Sequence, residues 1–311
     1  MKVTYPALTQ PLKTPDFWLL AIGSGLMAMH MTLAWRADEA NIFGTGLLFW
    51  AAVASMIWQR REQLKLNSSL GASLLGLSLI AILLLKSASI PLGGKFLAVM
   101  PVMSGLGLAL MASGFWGLRQ YWGELLALFF LGAPKLLEPW LYDPSPLTAR
   151  TSAFLLWYGG FEARLRNRVF IDLPQGGVEV YSACSGIETV IHLLGVAFLY
   201  ILMFPTTRIQ KIVIPLVAGT LGFVVNAIRV GVMAILVAGK QEEAFDYWHH
   251  GEGSLLFSIL AVLLFGGFCW LLQRQESSPS PEIVTEEITE YSDTFEYAEV
   301  GDYRDLAKYM E

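Results

Sequence analysis

Charge is scarce in this chain. Asp, Glu, Lys and Arg make up 15% of its 311 residues, where soluble globular domains carry about a quarter. With 55% hydrophobic residues and a mean hydropathy of +0.53, that shortage argues against a soluble domain and for a polytopic membrane protein. Cysteine is nearly absent: only Cys184 and Cys269 occur. On the topology below they fall near opposite faces of the membrane, too far apart for a disulfide. The chain has no glycine-rich nucleotide loop and no basic surface suited to nucleic acid. No dedicated metal-ligand spacing is present either; His249, His250 and Glu252 offer ligand types, but adjacent side chains diverge. No cofactor is expected.

The formal net charge of -5 conceals an asymmetry. Residues 275–311 hold 11 acids and 2 bases, a net of -9, so the rest carries +4. A basic membrane body is what loop lysines and arginines produce when they orient a protein. The acidic tail has a Ser-Pro-Ser-Pro stretch and no sustained apolar periodicity, and reads as a solvated, disordered segment. The expected domains are a membrane domain over 1–272, with its chemistry in about 147–272, and the tail over 273–311.

Long hydrophobic runs are abundant. A bilayer core needs about 20 helical residues, and eight runs approach that: Phe17–Trp35, Phe43–Trp58, Leu70–Leu85, Phe96–Trp116, Leu125–Trp140, Ile187–Phe204, Ile212–Ala238 and Ser254–Leu272. Tryptophan or tyrosine borders several of them, as at membrane interfaces. The first is long enough to span, and no small-residue cleavage site follows a short core, so it reads as a retained span rather than a signal peptide. Pro134, Lys135 and Glu138 interrupt the fifth, and the seventh is expected to bend or break near Asn226–Arg229. Between the fifth and sixth, Leu147–Tyr158 is too short to span and is expected along the interface or in the bundle. "VFIDL" and "VEVYS", flanking Pro174-Gln175-Gly176-Gly177, predict a β-hairpin leading to Cys184.

The fold class is therefore all-α and polytopic, with about eight transmembrane helices and a short extracytoplasmic hairpin. Lys2, Lys13, Arg60, Arg61, Lys65, Arg119, Arg208, Lys211 and Arg274 fall on one side, against Arg36, Lys86, Lys95 and Lys240 on the other. That bias puts the N-terminus and tail in the cytoplasm. Arg150, Arg164, Arg166 and Arg168 fall outside, in a longer translocated segment where the rule is weaker.

Three places stand out chemically. Cys184, between Ser182, Ser185 and Gly186 at the start of a helix, sits where a thiolate is favoured; Cys269, in "LLFGGFCWLL", reads as a small hydrophobe. Arg229 in "NAIRVGV" lies 17 residues beyond Ile212, about 26 Å along a helix, at a depth similar to that of Cys184. An intramembrane arginine is costly unless paired or functional, and Glu188 is a possible partner. His249 and His250 precede the last helix on the same face and are candidate general bases. Cysteine with histidine makes an activated nucleophile, and an arginine can stabilise an acyl-transfer oxyanion. Glu188 and His192 follow Cys184 at steps of four and read as bundle contacts.

"ACSGI" at Ala183–Ile187, "NAIR" at Asn226–Arg229 and "HHGEG" at His249–Gly253 resemble, in order and spacing, the three signatures of the exosortase/archaeosortase family. The likeness covers roughly Leu147–Leu272, and the chain looks most similar to cyanobacterial exosortases. The resemblance implies a multipass plasma-membrane cysteine transpeptidase. Cys184 would be the nucleophile, Arg229 the oxyanion or carbonyl stabiliser, and His249 the general acid/base, since His249 fits a His-x-x-x-Gly pattern ending at Gly253. Ser185, Gly186, Asn226, Glu188 and His250 would support the site or the substrate. It also implies membrane-anchored exported substrates with a C-terminal sorting tail: a Pro-Glu-Pro type motif, a hydrophobic helix and a short basic end. A glycan or lipid at the cell surface would accept the acyl group. Transporter, hydrolytic protease and non-enzymatic assembly factor remain the rival readings; transport surviving Cys184→Ala would favour the first.

Overall fold

A computed structural model describes residues 15–37, 39–89, 94–137, 140–249 and 253–276. His250, Glu252 and Glu138, as well as the acidic tail beyond residue 276, lie outside the described residues. The chain divides into two units, Met1–Gly266 and Gly267–Glu311.

Each of the eight apolar runs forms a helix, because in lipid only a helix satisfies its own backbone within one segment. These are α1 (Pro15–Arg36), α2 (Ala40–Arg60), α3 (Leu70–Ser89), α4 (Gly94–Gly117), α5 (Trp122–Leu137), α7 (Ile187–Met203), α8 (Gln210–Ala238) and α10 (Gly253–Glu276). Two further helices, α6 (Ser145–Tyr158) and α9 (Glu242–His249), complete the set among the described residues. Among the described residues, six stretches are long and apolar enough to cross a membrane; one of them, Lys95–Leu137, runs through α4, a 3-10 turn and α5, while α7 has 17 residues. The chain is an all-α polytopic membrane protein.

One core cluster joins α1, α2, α5 and α7 through Met31, Phe49, Trp50, Leu128, Leu131 and Leu199. Ion pairs hold α2 and α5 together at both ends. Arg60, the last residue of α2, pairs with the buried Glu124 in the first turn of α5. Lys135, in the last turn of α5, pairs with Glu39 just before α2. Lys135 thus interrupts an apolar run without being an orphan charge.

The second core cluster lies under the site. Ala149, Ala153 and Leu156 of α6 pack with strand residues and with Val230 and Ala234 of α8. The buried face of α6 is mostly small and hydroxylic: Ser145, Thr148, Ala149, Ser152 and Ala153. Such a face allows close helix contact and interhelical hydrogen bonds, and the Ser152 hydroxyl donates to the Ala227 carbonyl of α8 at 2.8 Å. The short segment expected at the interface or in the bundle is therefore part of the bundle. α8, expected to bend or break near Asn226–Arg229, is one helix from Gln210 to Ala238. Its polar side chains there reach tertiary partners, so the backbone ladder does not open to accommodate them.

The predicted hairpin is present within a three-stranded antiparallel sheet, β1 (Arg164–Arg166), β2 (Phe170–Leu173) and β3 (Gly176–Glu179), in that order. β1 is short, exposed along its length and was not expected; Arg166 pairs with Asp172 of β2. The turn is tighter than the glycines suggested. Leu173 faces Gly176, so Pro174-Gln175 alone makes the loop and both glycines belong to β3. Gly177 is needed for space: a Cβ there would lie 2.4 Å from the Ile171 carbonyl oxygen and against the Phe170 ring.

Candidate active site

β3 runs into a 3-10 turn, Ser182–Cys184, and α7 begins three residues after the cysteine. Cys184 therefore lies ahead of α7 rather than in its first turn. The expected four-residue stepping applies from Glu188 to His192 but not to Cys184.

The turn is held from several sides. The Cys184 amide donates to the Tyr181 carbonyl at 2.8 Å, and the Ser185 amide to the Ser182 carbonyl at 3.1 Å. The Ser185 hydroxyl, on a buried residue, donates to the Ser182 carbonyl at 2.6 Å. Two neighbouring helices supply the rest. Asn226 Nδ2 of α8 donates to the Cys184 carbonyl at 3.0 Å, and the Thr148 hydroxyl of α6 to the Ser185 carbonyl at 2.7 Å. These carbonyls face a helix start that offers them no ladder partner, and burying them unpaired would be costly. Gly186 then turns the chain into α7 at φ 87°, a left-handed conformation that glycine adopts without penalty. A Cβ at Gly186 would also lie 2.5 Å from Asn226 Nδ2. Ser185, Gly186 and Asn226 are thus brought together as a brace for the cysteine.

His249 ends α9, and its Nε2 lies 3.2 Å from Cys184 Sγ. That is within hydrogen-bond reach for proton transfer. The Phe245 ring, one helical turn earlier, stacks on the imidazole at 5.0 Å between centroids and 18° between planes. Arg229 of α8 donates through a terminal guanidinium nitrogen to the His249 backbone carbonyl at 3.0 Å, satisfying an orphan carbonyl at the end of α9. Its Nε is buried and has no hydrogen-bond partner among the described residues. Cys184, Arg229 and His249 line one cavity of about 250 Å³, with β3, Tyr181, Val230, Met233, Val237 and Phe245 forming the remaining wall. Glu188 sits half-buried in the first turn of α7, outside that lining.

Tyr181, Phe245, Thr148 and Ser152 went unnoticed in the sequence. Phe245 could have been found from its i, i+4 spacing to His249. Tyr181 stands three residues before Cys184, and its phenol hydrogen-bonds the cysteine side chain. That bond, followed by partial burial and the charge of the cysteine, holds the phenol above the ordinary tyrosine range, while Arg229 acts in the opposite direction. Both cysteines are free thiols. Among the described residues no group of three His, Cys, Asp or Glu side chains could hold a metal ion.

The family model for transmembrane exosortases (Exosortase_EpsH) matches residues 35–266, well over half of the chain. The chain belongs to the exosortase family. The match encloses all three signature segments and the whole lining of the cavity. Exosortase membership makes this a multipass membrane protein of the sorting-transpeptidase kind, acting on exported proteins that bear sorting signals. No curated protein and no solved structure matches the chain.

Proposed function

We propose that this exosortase is a cysteine transpeptidase in which Cys184 is the nucleophile, His249 the proton carrier and Arg229 the oxyanion stabiliser. The observation that carries the reading is the 3.2 Å separation of Cys184 Sγ and His249 Nε2. In the first half-reaction His249 takes the thiol proton and the sulfur attacks the scissile carbonyl carbon. The oxyanion that forms faces Arg229, whose Nε–H has no partner to release among the described residues. The C–N bond then breaks, His249 returns the proton to the leaving amine, and the sorting tail departs. In the second half-reaction a hydroxyl or amine of a surface glycan or lipid gives its proton to His249. It attacks the thioester carbonyl, and the cysteine sulfur leaves.

The substrate is an exported protein with a Pro-Glu-Pro type motif ahead of its own membrane anchor. The site faces the extracytoplasmic side, and the tail over 273–311 lies in the cytoplasm. Arg60, Arg61, Arg119 and Lys211 support that orientation: they occur where α2 and α4 end and α8 begins, at the bundle end away from the start of α7.

The test is processing in cells of a tagged exported reporter with such a tail, followed by gel shift and mass spectrometry. Cys184→Ala, Arg229→Ala and His249→Ala are expected to lose processing, and His250→Ala to keep it. A new C-terminus carrying extra mass identifies transfer, and a bare carboxylate identifies hydrolysis. Processing that persists in Cys184→Ala removes the nucleophile assignment.

A further inference from the structure

The sheet has two outer edges, and only β3 reaches the cavity of the cysteine. The β2–β3 register sets which backbone groups of β3 are free. Val180 donates to the Val169 carbonyl at 2.9 Å, and Ile171 faces Val178 two residues further along. In an antiparallel ladder, directly opposed pairs alternate between bonded and non-bonded. Gly177 and Glu179 are therefore the non-bonded positions, and their N–H and C=O groups point away from β2. No other backbone or side chain among the described residues takes them up.

The cavity meets the strand along that free edge. Gly177, Val178, Glu179, Val180 and Tyr181 all line it. Consecutive strand residues point to opposite faces, so a cavity lying on one face would be lined by alternate residues only. Five in succession mean that it runs edge-on. At Gly176 the strand lies against α8, where a Cβ would be 3.3 Å from the Val237 carbonyl oxygen. From Gly177 onward the edge borders open space as far as the turn that carries Cys184. β1 offers no such arrangement: its three residues are exposed and none lines the cavity.

We infer that β3 is a docking strand: the substrate segment holding the scissile bond pairs with the free edge at Gly177 and Glu179 as a fourth strand, which carries its scissile carbonyl to Cys184. The occupant is an extended peptide recognised chiefly through its backbone: the Glu of the Pro-Glu-Pro type motif turns its N–H and C=O to the β3 edge, and the two prolines, which have no N–H, face away from it. Alternate side chains of that peptide face Met233, Val237 and Phe245, so one position beside the scissile bond takes an apolar side chain. This rests on the transpeptidase reading of Cys184, but its test separates the two.

Glu179→Pro removes an N–H that bonds nothing within the sheet, a place where proline is tolerated in an edge strand, and it blocks pairing. Glu179→Ala keeps the N–H. The expected result is a kcat/KM for the anchored reporter at least about tenfold lower in Glu179→Pro than in Glu179→Ala, which differs from it at the backbone by keeping the N–H. Alkylation of Cys184 by iodoacetamide is expected to be unchanged in both. Equal processing by the two variants with normal alkylation overturns strand docking and leaves the nucleophile assignment standing. The second arm needs no catalysis. In a Cys184→Ala, Cys269→Ala, Glu179→Cys chain, single cysteines are placed at five successive reporter positions spanning the cleavage motif, and disulfide capture is scored. Capture at alternate positions supports the fourth strand, and decides the matter if Glu179→Pro impairs folding. Uniform capture, or none, overturns it. Reporter processing that survives Cys184→Ala counts against the nucleophile alone.

Discussion

Between α2 and α5 each charge has a countercharge: Arg60 meets Glu124 and Lys135 meets Glu39. Around Cys184 the arrangement is different. Arg229 has no carboxylate partner among the described residues; it donates to a backbone carbonyl and keeps a buried N–H in reserve. Both regions bury charge in a chain that holds little of it. Paired charges fix one helix against another and are spent in doing so. A cation tied only to a main-chain oxygen keeps most of its field for a ligand, which is what the oxyanion role proposed for Arg229 calls for.

The sharpest way to break that contrast is at Arg229. Arg229→Lys keeps the charge but cannot bond the His249 carbonyl and present a second donor in the fixed guanidinium geometry. Its kcat is expected to fall about 100-fold or more, with reporter affinity little changed. A drop in affinity alone would make Arg229 a substrate anchor. The opposite signature is expected at the paired end. Glu124→Ala removes the partner of Arg60, whose side chain is 38% exposed and can still be solvated, and should cost about 1.5–3 kcal/mol in unfolding experiments in detergent. The kcat of the folded fraction should stay near wild type.

A smaller effect is expected at the brace. Asn226→Ala strands the Cys184 carbonyl, a loss of about 1–3 kcal/mol, read as a slower thiol alkylation and a roughly tenfold lower kcat. Asn226→Asp is not expected to restore it, since a carboxylate cannot donate. The smallest effect concerns Tyr181. Its raised pKa keeps the phenol protonated to higher pH than an ordinary tyrosine. An ultraviolet difference titration between wild type and Tyr181→Phe should show this step, and in Cys184→Ala it should move down, because the leading cause of the shift is gone.

The helices were legible because lipid imposes one solution on an apolar run, and even Lys135 did not hide α5. Cys184, Arg229 and His249 were legible as residues that apolar surroundings do not explain. Contacts made across the chain were not. Thr148 and Ser152 look like ordinary polar positions in a short helix until α8 and the cysteine turn are placed against them. The break expected in α8 near Asn226–Arg229 does not occur, and the Asn226 side chain there is occupied by the Cys184 carbonyl, 42 positions away in sequence. β1 has three residues and no apolar alternation, so only pairing with β2 creates it. The glycines at 176 and 177 resembled a turn, but their role is to let β3 pass close to α8 and to the Phe170 ring.

The length of α7 has a consequence for the depth at which the proposed reaction would take place. Seventeen residues extend about 26 Å, less than the roughly 30 Å of hydrocarbon in a typical bilayer. A helix that short draws the leaflet inward or leaves its end submerged. The turn bearing Cys184 then lies at the level where acyl chains give way to headgroups. Under the proposed transpeptidase reaction, a sorting tail severed there would have no aqueous exit to cross and would drift off sideways as one more lipid-like solute in the bilayer.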